Sequence, residues 1–407
     1  MVDNNTKSAA RPAAVNRKYD GVLTVLALLT ILLAGWIGLR RQSKGQPEYL
    51  QQLLPQATRF EETSDQRYKA YQGFELIGYA TLGRSIGYGG PVQVAVAVDP
   101  QGKILNVVVV AEHETREYFD LVQMAGFMDR LVGKSYSDEL MVGKDIDGVT
   151  SATLTSRAIA NATRLAARQI AENEFGDAVA EEQNPQIQFG LPEISLLALY
   201  GIGFVGHRKN FKYTRQARWI SMLLGLGILG FLLNMPLSIA VINKFLLGYW
   251  PQWQTNLYWY MLLGGVLIVI LLDSKNPYCD WFCPFGAAQE CLGALGKAKN
   301  HTPTRYRTLL TWAPRFLAWL AVILALIYRN PAISSYEVFG TLFAFVGSGF
   351  QFVLLSLVLI ASLFIRRPWC RYLCPVRPVT ELLRQIRQWV MQLWKTVTRK
   401  NQTNGIS

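Results

Sequence analysis

Six apolar runs, separated by loops whose charge alternates, limit what this 407-residue chain can fold into. The first, residues 21–39, is uncharged and close to the roughly 20 residues that cross a bilayer as a helix. It ends at Arg40 and Arg41 with neither a small-residue cleavage site nor a lipid-accepting cysteine, so it reads as an uncleaved signal anchor behind a cytoplasmic segment, residues 1–20. The charges on its two sides, Lys7, Arg11, Arg17 and Lys18 against Arg40, Arg41 and Lys44, barely orient it. Five further runs lie near 191–205, 219–235, 257–272, 316–328 and 350–365. Arg208, Lys209, Lys212, Arg215 and Arg218 make one acid-free basic loop; 275–315 and 366–400 make two more, the last with nine basic residues against Glu381. The loops at 236–256 and 330–349 carry only Lys244 and Glu337 as charges. Basic loops stay cytoplasmic, so the alternation predicts six transmembrane helices with both termini inside and the region before the second run outside.

This placement accounts for the net charge of +13 without a nucleic-acid partner. Membrane lipid is the expected neighbour, and Tyr249, Trp250, Trp253, Tyr258, Trp259 and Tyr260 form an aromatic cluster suited to an outer interfacial belt. The three histidines, His113, His207 and His301, all fall outside the apolar runs, which argues against a membrane haem held by paired histidines.

Residues 59–175 read as a soluble α+β domain. Strand composition at 74–82, 91–98 and 104–111 is punctuated by turn signals at Gly87-Tyr88-Gly89-Gly90-Pro91 and Asp99-Pro100-Gln101-Gly102, and helices follow near 118–131 and 155–172. An acidic linker, 176–192, leads to an all-α polytopic membrane domain, 193–383, and a basic tail, 384–407, whose segment 382–393 could lie on a membrane surface. The glycines Gly225, Gly227 and Gly230 spell a dinucleotide-type pattern inside an apolar run with no preceding strand, and close helix packing explains them better.

Two short patterns carry chemistry. Asp147-Gly148-Val149-Thr150-Ser151-Ala152-Thr153 opens the last helix of the soluble domain with small and hydroxylic residues. It suits either an ordinary N-cap at Thr150 or Ser151, or an anion site where free N–H groups meet a phosphate. Cys279-x-x-x-Cys283-Pro284 and Cys370-x-x-x-Cys374-Pro375 recur at equivalent positions of an internal repeat of span, neutral loop and span. Each pair lies about one helical turn apart. Together they offer four soft ligands for an iron–sulfur cluster or a structural zinc, and the fifth cysteine, Cys291, has no counterpart in the second repeat and reads as packing.

Residues 147–153 resemble the acceptor motif of FMN-binding domains of the NqrC/RnfG type, to which an ApbE-type flavin transferase joins FMN by a phosphoester. The resemblance implies covalent FMN on Thr153, recognition through Asp147, Gly148, Thr150, Ser151 and Ala152, and Thr155 as the alternative acceptor. Glu114 and Thr115, following the Gly-rich turn, take the places of flavin neighbours, although Arg116-Glu117 stands where Pro-Gly commonly follows. With the sequences around both cysteine motifs, residues 59–383 resemble a NosR/NirI-type membrane flavoprotein, in a short form without the C-terminal ferredoxin domain of eight clustered cysteines. That resemblance implies a polyferredoxin-like membrane domain with an iron–sulfur cluster on Cys279, Cys283, Cys370 and Cys374, in a bacterial inner membrane. The expected function is electron transfer between this centre and the outer FMN. A separate electron donor and an extracytoplasmic acceptor would serve as partners, with a quinone as a further carrier. A redox sensor and a maturation factor for a respiratory complex are the alternatives.

Overall fold

The computed structural model describes residues 17–40, 48–64, 66–177, 186–206, 212–273, 276–299, 307–333 and 336–403. Lys7, Arg11, Arg41, Lys44, His207, Arg208, Lys209, Lys275, His301 and the centre of the acidic linker lie outside these residues.

Helix α1 (Arg17–Arg40) is followed by a one-turn helix, α2 (Tyr49–Leu53), and then by five strands. These are β1 (Arg59–Ser64), β2 (Arg67–Gln72), β3 (Glu75–Ile86), β4 (Pro91–Val98) and β5 (Ile104–Glu112), paired in chain order as one antiparallel sheet. Strand β4 shows why this sheet needs cover on both faces. Its valines, Val92, Val94, Val96 and Val98, all point one way and its alanines, Ala95 and Ala97, the other, as the two-residue strand period requires. The valines bury against α4 (Thr153–Ile170) through Ala158, Ile159, Ala162 and Ala166; the alanines bury against Leu50 and Leu53 of α2. Gly83 of β3 lets α4 approach so closely that an added Cβ would strike the Ala162 carbonyl.

Several expected boundaries move. β1 and β2 add two strands ahead of the three read from composition, and β3 runs four residues further than expected, to Ile86. The helix expected at 118–131 is α3 (Arg116–Met124), which stops because Gly126 adopts a left-handed φ of +59°; one 3₁₀ turn, Met128–Arg130, follows. Helix α4 begins at Thr153 rather than Thr155 and passes into a π-helical turn, Ala171–Phe175.

The second half is helical: α5 (Leu191–Gly206), α6 (Thr214–Leu224), α7 (Ile239–Leu246), α8 (Leu257–Asp273), α9 (Pro284–Leu295), α10 (Arg307–Tyr328), α11 (Phe339–Phe343), α12 (Gly349–Phe364), α13 (Pro368–Tyr372) and α14 (Val376–Thr403). The internal repeat is visible as long helix, short helix, long helix, cysteine turn and helix. It runs once from α6 to α9 and again from α10 to α14. Helix α6 continues as a π-helix, Gly225–Leu232, whose Gly225 and Gly230 admit the Phe282 backbone and the Phe343 ring; this is the close packing expected of those glycines.

Among the described residues, two helical stretches, Val22–Arg40 and Thr308–Tyr328, are long and apolar enough to cross a membrane. Leu191–Gly206, Leu257–Asp273 and Gly349–Phe364 are shorter apolar helices, so six full-length spans do not emerge from length alone. Helix α1 packs along α10. A Cβ on Gly38 would strike the Leu326 carbonyl, and Trp319 donates to Thr30 Oγ1 at 3.0 Å. The aromatic cluster divides: Trp250 and Trp253 are exposed, whereas Tyr249, Tyr258 and Trp259 are buried and cannot belong to a lipid-facing belt.

Candidate functional site

The expected flavin-acceptor segment lies at the surface end of α4. Ala152 occupies the N-cap with no side-chain hydrogen bond, so neither Thr150 nor Ser151 caps the helix. Ser151 instead takes a left-handed φ of +65°, turning the chain sharply just before Thr153. Thr153 is exposed, and its hydroxyl makes only a long 3.5 Å contact to the Val149 carbonyl. An uncapped helix start with its free N–H groups and an available hydroxyl suits a phosphate. Thr155 is different: it is 1% exposed and donates to Glu114 Oε2 at 2.8 Å. Its hydroxyl is committed where that of Thr153 is free to be esterified.

Glu114 is the hub of this region. Its carboxylate also accepts the Gly89 N–H at 3.2 Å to each oxygen, which ties the Gly-rich turn to α4. Gly87 is required here because a Cβ would collide with Glu114 Oε1. Burial raises the Glu114 carboxyl, and the Thr155 hydroxyl, the Lys244 charge and the turn's N–H groups work against that rise. Arg130 donates to the Asp147 carbonyl at 2.8 Å, and Gly148 packs beside Val142 and Thr153. Thr115 faces away, into a small cavity of about 40 Å³ between the soluble and helical halves, shared with Tyr88, Tyr118, Asn234, Glu337 and Phe339.

The four cysteines of the two repeats come together. Cys279, Cys283, Cys370 and Cys374 line one cavity of about 360 Å³, and Cys291 does not. In each motif the N–H of the second cysteine bonds the carbonyl of the residue before the first: Cys283 to Tyr278 at 2.8 Å, Cys374 to Trp369 at 2.9 Å. That five-residue step is wider than the α-helical turn the spacing suggested. The following prolines then restart the chain. Cys283 is extended before Pro284, which opens α9, and Cys374-Pro375 precedes α14.

Side chains of one repeat hold the cysteines of the other. Gln289 Nε2 reaches Cys370 Sγ at 3.4 Å while Gln289 Oε1 accepts the Trp369 N–H at 2.9 Å. Arg367 donates to the Cys279 carbonyl at 2.9 Å. Asn276 joins the Cys279 N–H to Thr380. Among the described residues, Arg366, Arg367, Arg371, Arg377 and Arg384 line the cavity against Asp280 as the one acidic lining residue, and Arg384 Nε is buried without a hydrogen-bond acceptor. Glu290 takes Arg218, Arg366 and Arg367 on one oxygen at 2.7, 3.3 and 3.0 Å. Burial would raise it, but the three guanidiniums keep it below the usual carboxylate range. Burial raises all four cavity thiols, Cys283 to about 11, so the protein surroundings by themselves hold them neutral.

This donor set fits an anionic multinuclear centre. The arginines on the cavity walls would offset the charge of four thiolates. Four thiols from two repeats on one cavity, with five arginines on its walls, is a donor set that an iron–sulfur cluster would take.

The charges of the two near-neutral loops, Lys244 and Glu337, are both buried, and the sequence showed their solitude but not their use. Glu337 Oε2 accepts the Ile239 N–H at 2.9 Å at the start of α7, and Oε1 has no partner among the described residues. Burial pushes its carboxyl up to about 8, with the Ile239 N–H pulling the other way. The folded protein therefore keeps a proton that the unfolded chain releases above the ordinary Glu value of about 4.3. This contribution is complete at acid pH and is lost as pH rises to about 8. Glu337→Gln, which cannot ionise, is expected to gain stability over wild type between about pH 5 and pH 8.5, by a few kcal/mol at the upper end. A melting-temperature difference that stays flat across this range would contradict it.

Residues 87–168 match the FMN-binding domain family, and residues 255–303 and 348–393 both match a 4Fe-4S binding domain family. The second match falls twice, once on each repeat. Protein NirI of Paracoccus denitrificans is 28% identical over 209 residues, covering 46% of this chain and 30% of NirI. A component of the proton-translocating ferredoxin:NAD(+) oxidoreductase complex of Clostridium ljungdahlii is 28% identical over 142 residues, 33% of this chain and 76% of that component. The regulatory protein NosR of Pseudomonas aeruginosa is 30% identical over 122 residues, 26% of this chain and 16% of NosR. The matched region thus spans about a third of NirI and less of NosR.

Proposed function

We propose that this chain, which matches an FMN-binding domain and a 4Fe-4S binding domain and is similar to NirI and NosR, is an electron-transport flavoprotein of the NosR/NirI type that works as a membrane-embedded relay between two fixed centres. One is FMN esterified to Thr153 on the outer face. The other is an iron–sulfur cluster held by Cys279, Cys283, Cys370 and Cys374 on the basic, cytoplasmic-side loops, in a cavity that Leu237 and Phe339 of the two near-neutral outer loops also line. Six helical crossings of a bacterial inner membrane carry the cluster domain, with both chain termini inside. An ApbE-type transferase installs the flavin. A cytoplasmic donor meets the arginine-rich side of the cluster domain, an extracytoplasmic protein accepts from the flavin domain, and a quinone is a further candidate carrier.

The observation that carries this reading is a shared wall. Phe339 lines both the cysteine cavity and the small cavity beneath the FMN-binding domain. Pro236 and Ser238 face the small cavity and Leu237, between them, faces the cysteines. When bound, FMN and the cluster supply the one- and two-electron chemistry. The chain's own work is to hold them: Gln289 and Arg367 brace the cysteine segments, Glu114 braces the flavin-side turn, and Phe285, Phe339 and Trp369 pack with ring centroids 5.1 to 6.3 Å apart to keep water out. Exposed apolar side chains on α1, α8 and α12, such as Leu32, Leu272 and Phe350, support the lipid contact.

Anaerobic purification with flavin, iron and sulfide quantified together tests the cofactor assignment. Steady electron flux through proteoliposomes tests the relay. NosR is named a regulatory protein, which keeps a sensing role in view, and bound flavin and cluster without flux would favour it.

A further inference from the structure

We propose that Lys244 is a positioning residue that clamps the FMN-binding domain onto the helical domain, so that the flavin domain works docked and does not swing on its linker. The functional consequence rests on the relay described above; the clamp itself rests on geometry alone.

Lys244 lies on α7 and is 5% exposed. Its ammonium donates to the Gly87 carbonyl at 2.5 Å and to the Tyr88 carbonyl at 3.0 Å, both in the Gly-rich turn of the other domain. The same turn presents the Gly89 N–H to Glu114, and Glu114 holds Thr155 in the first turn of α4. One buried chain of hydrogen bonds therefore runs from the helical domain, through Lys244, the turn and Glu114, to the helix that begins with Thr153. A buried lysine is costly unless its charge is answered. Here it is answered by two carbonyls and the Glu114 carboxylate, all from the FMN-binding domain.

Three more contacts close the same interface. Asn234 donates to the Tyr118 hydroxyl at 3.2 Å, Tyr88 packs edge-on to Trp259 at 6.5 Å, and His113 faces Tyr249 at 6.0 Å. Gly340 is needed beneath Tyr118, since a Cβ would lie 2.7 Å from its hydroxyl. Domains joined by a linker are expected to move unless the interface is substantial and well packed. This one has a buried charge at its centre.

The test is hydrogen exchange on the full-length protein in nanodiscs, a readout independent of cofactor loading, with flavin, iron and electron flux measured on the same preparations. In wild type, amides of 87–90 and of Ile239–Leu246 should be protected. Lys244→Met should raise their exchange at least tenfold and slow electron flux comparably, while β3, β4, covalent flavin and iron content stay unchanged. Lys244→Arg should restore part of the protection. Tyr118→Phe, a milder loss at the same interface, should raise exchange less. Free exchange of 87–90 in wild type, or no change in exchange in Lys244→Met, would overturn the clamp. Increased exchange with undiminished flux would keep the clamp but overturn its role in transfer. Missing flavin or iron in wild type would sink the relay reading instead, and the exchange result would still decide whether the domain is docked.

Discussion

A Thr153→Val protein is expected to fold normally and to carry no covalent flavin. The side chain is exposed and makes only one long contact, so the isosteric change should cost under about 0.5 kcal/mol. What it removes is the one atom that a phosphoester needs. The comparison that makes the experiment decisive is Thr155→Val. That hydroxyl is buried and bonded to Glu114, so its loss should destabilise the domain by roughly 1–3 kcal/mol through the loss of one buried hydrogen bond to a carboxylate that keeps the Gly89 N–H, yet leave the flavin attached. Intact mass of the denatured proteins, made alongside the transferase, reads both results. A flavin-sized mass increase surviving in Thr153→Val, or vanishing only in Thr155→Val, would move the acceptor.

Single serine replacements of Cys279, Cys283, Cys370 or Cys374 should each strip most iron and sulfide from the purified protein and reduce flux to background, with covalent flavin retained. The effect should be equally large at every position, because the four cysteines, two from each repeat, line one cavity and a four-cysteine cluster would draw on all of them. Cys291→Ser serves as the internal control. It is outside the cavity lining, and iron content should not change. Gln289→Leu addresses the surroundings: removing the donor at 3.4 Å from Cys370 Sγ should lower the midpoint potential without loss of iron. Full iron content in Cys279→Ser and Cys370→Ser would rule out the ligand set.

Much of this architecture is legible from residue patterns. The strand at Pro91–Val98 agrees with its predicted bounds because its valine and alanine alternation is unbroken. The two cysteine motifs announce a repeat because prolines follow both second cysteines, and each proline restarts a helix where the spacing says it should. Other features escape the sequence for identifiable reasons. Gly126 ends α3 early through a left-handed turn that helical periodicity does not register. The helix start at Thr153 is uncapped, although hydroxylic residues at 150 and 151 would ordinarily be taken as caps; Ser151 is spent on a left-handed turn instead. Tyr249, Tyr258 and Trp259 have the composition of a lipid-facing belt, but the soluble domain covers Tyr249 and Trp259, and Tyr258 is buried against Trp259 and bonded to the Met235 carbonyl.

By itself the sequence determined the order of parts: apolar runs, an α+β insert, a hydroxylic helix start and two Cys-x-x-x-Cys-Pro turns. Each is a local matter of period, charge or spacing, which neighbouring residues settle among themselves. Only the tertiary structure decided what meets what. Lys244 and Gly87 are 157 positions apart and Gln289 and Cys370 are 81 apart, yet the first pair joins two domains and the second pair joins two repeats. Such contacts leave no periodic trace, because a buried lysine or glutamine satisfies its hydrogen bonds wherever the packed chain supplies an acceptor or donor. The apolar runs required helices; the packing of those helices turned the lone charge of Lys244 and four scattered thiols into a clamp and a cavity.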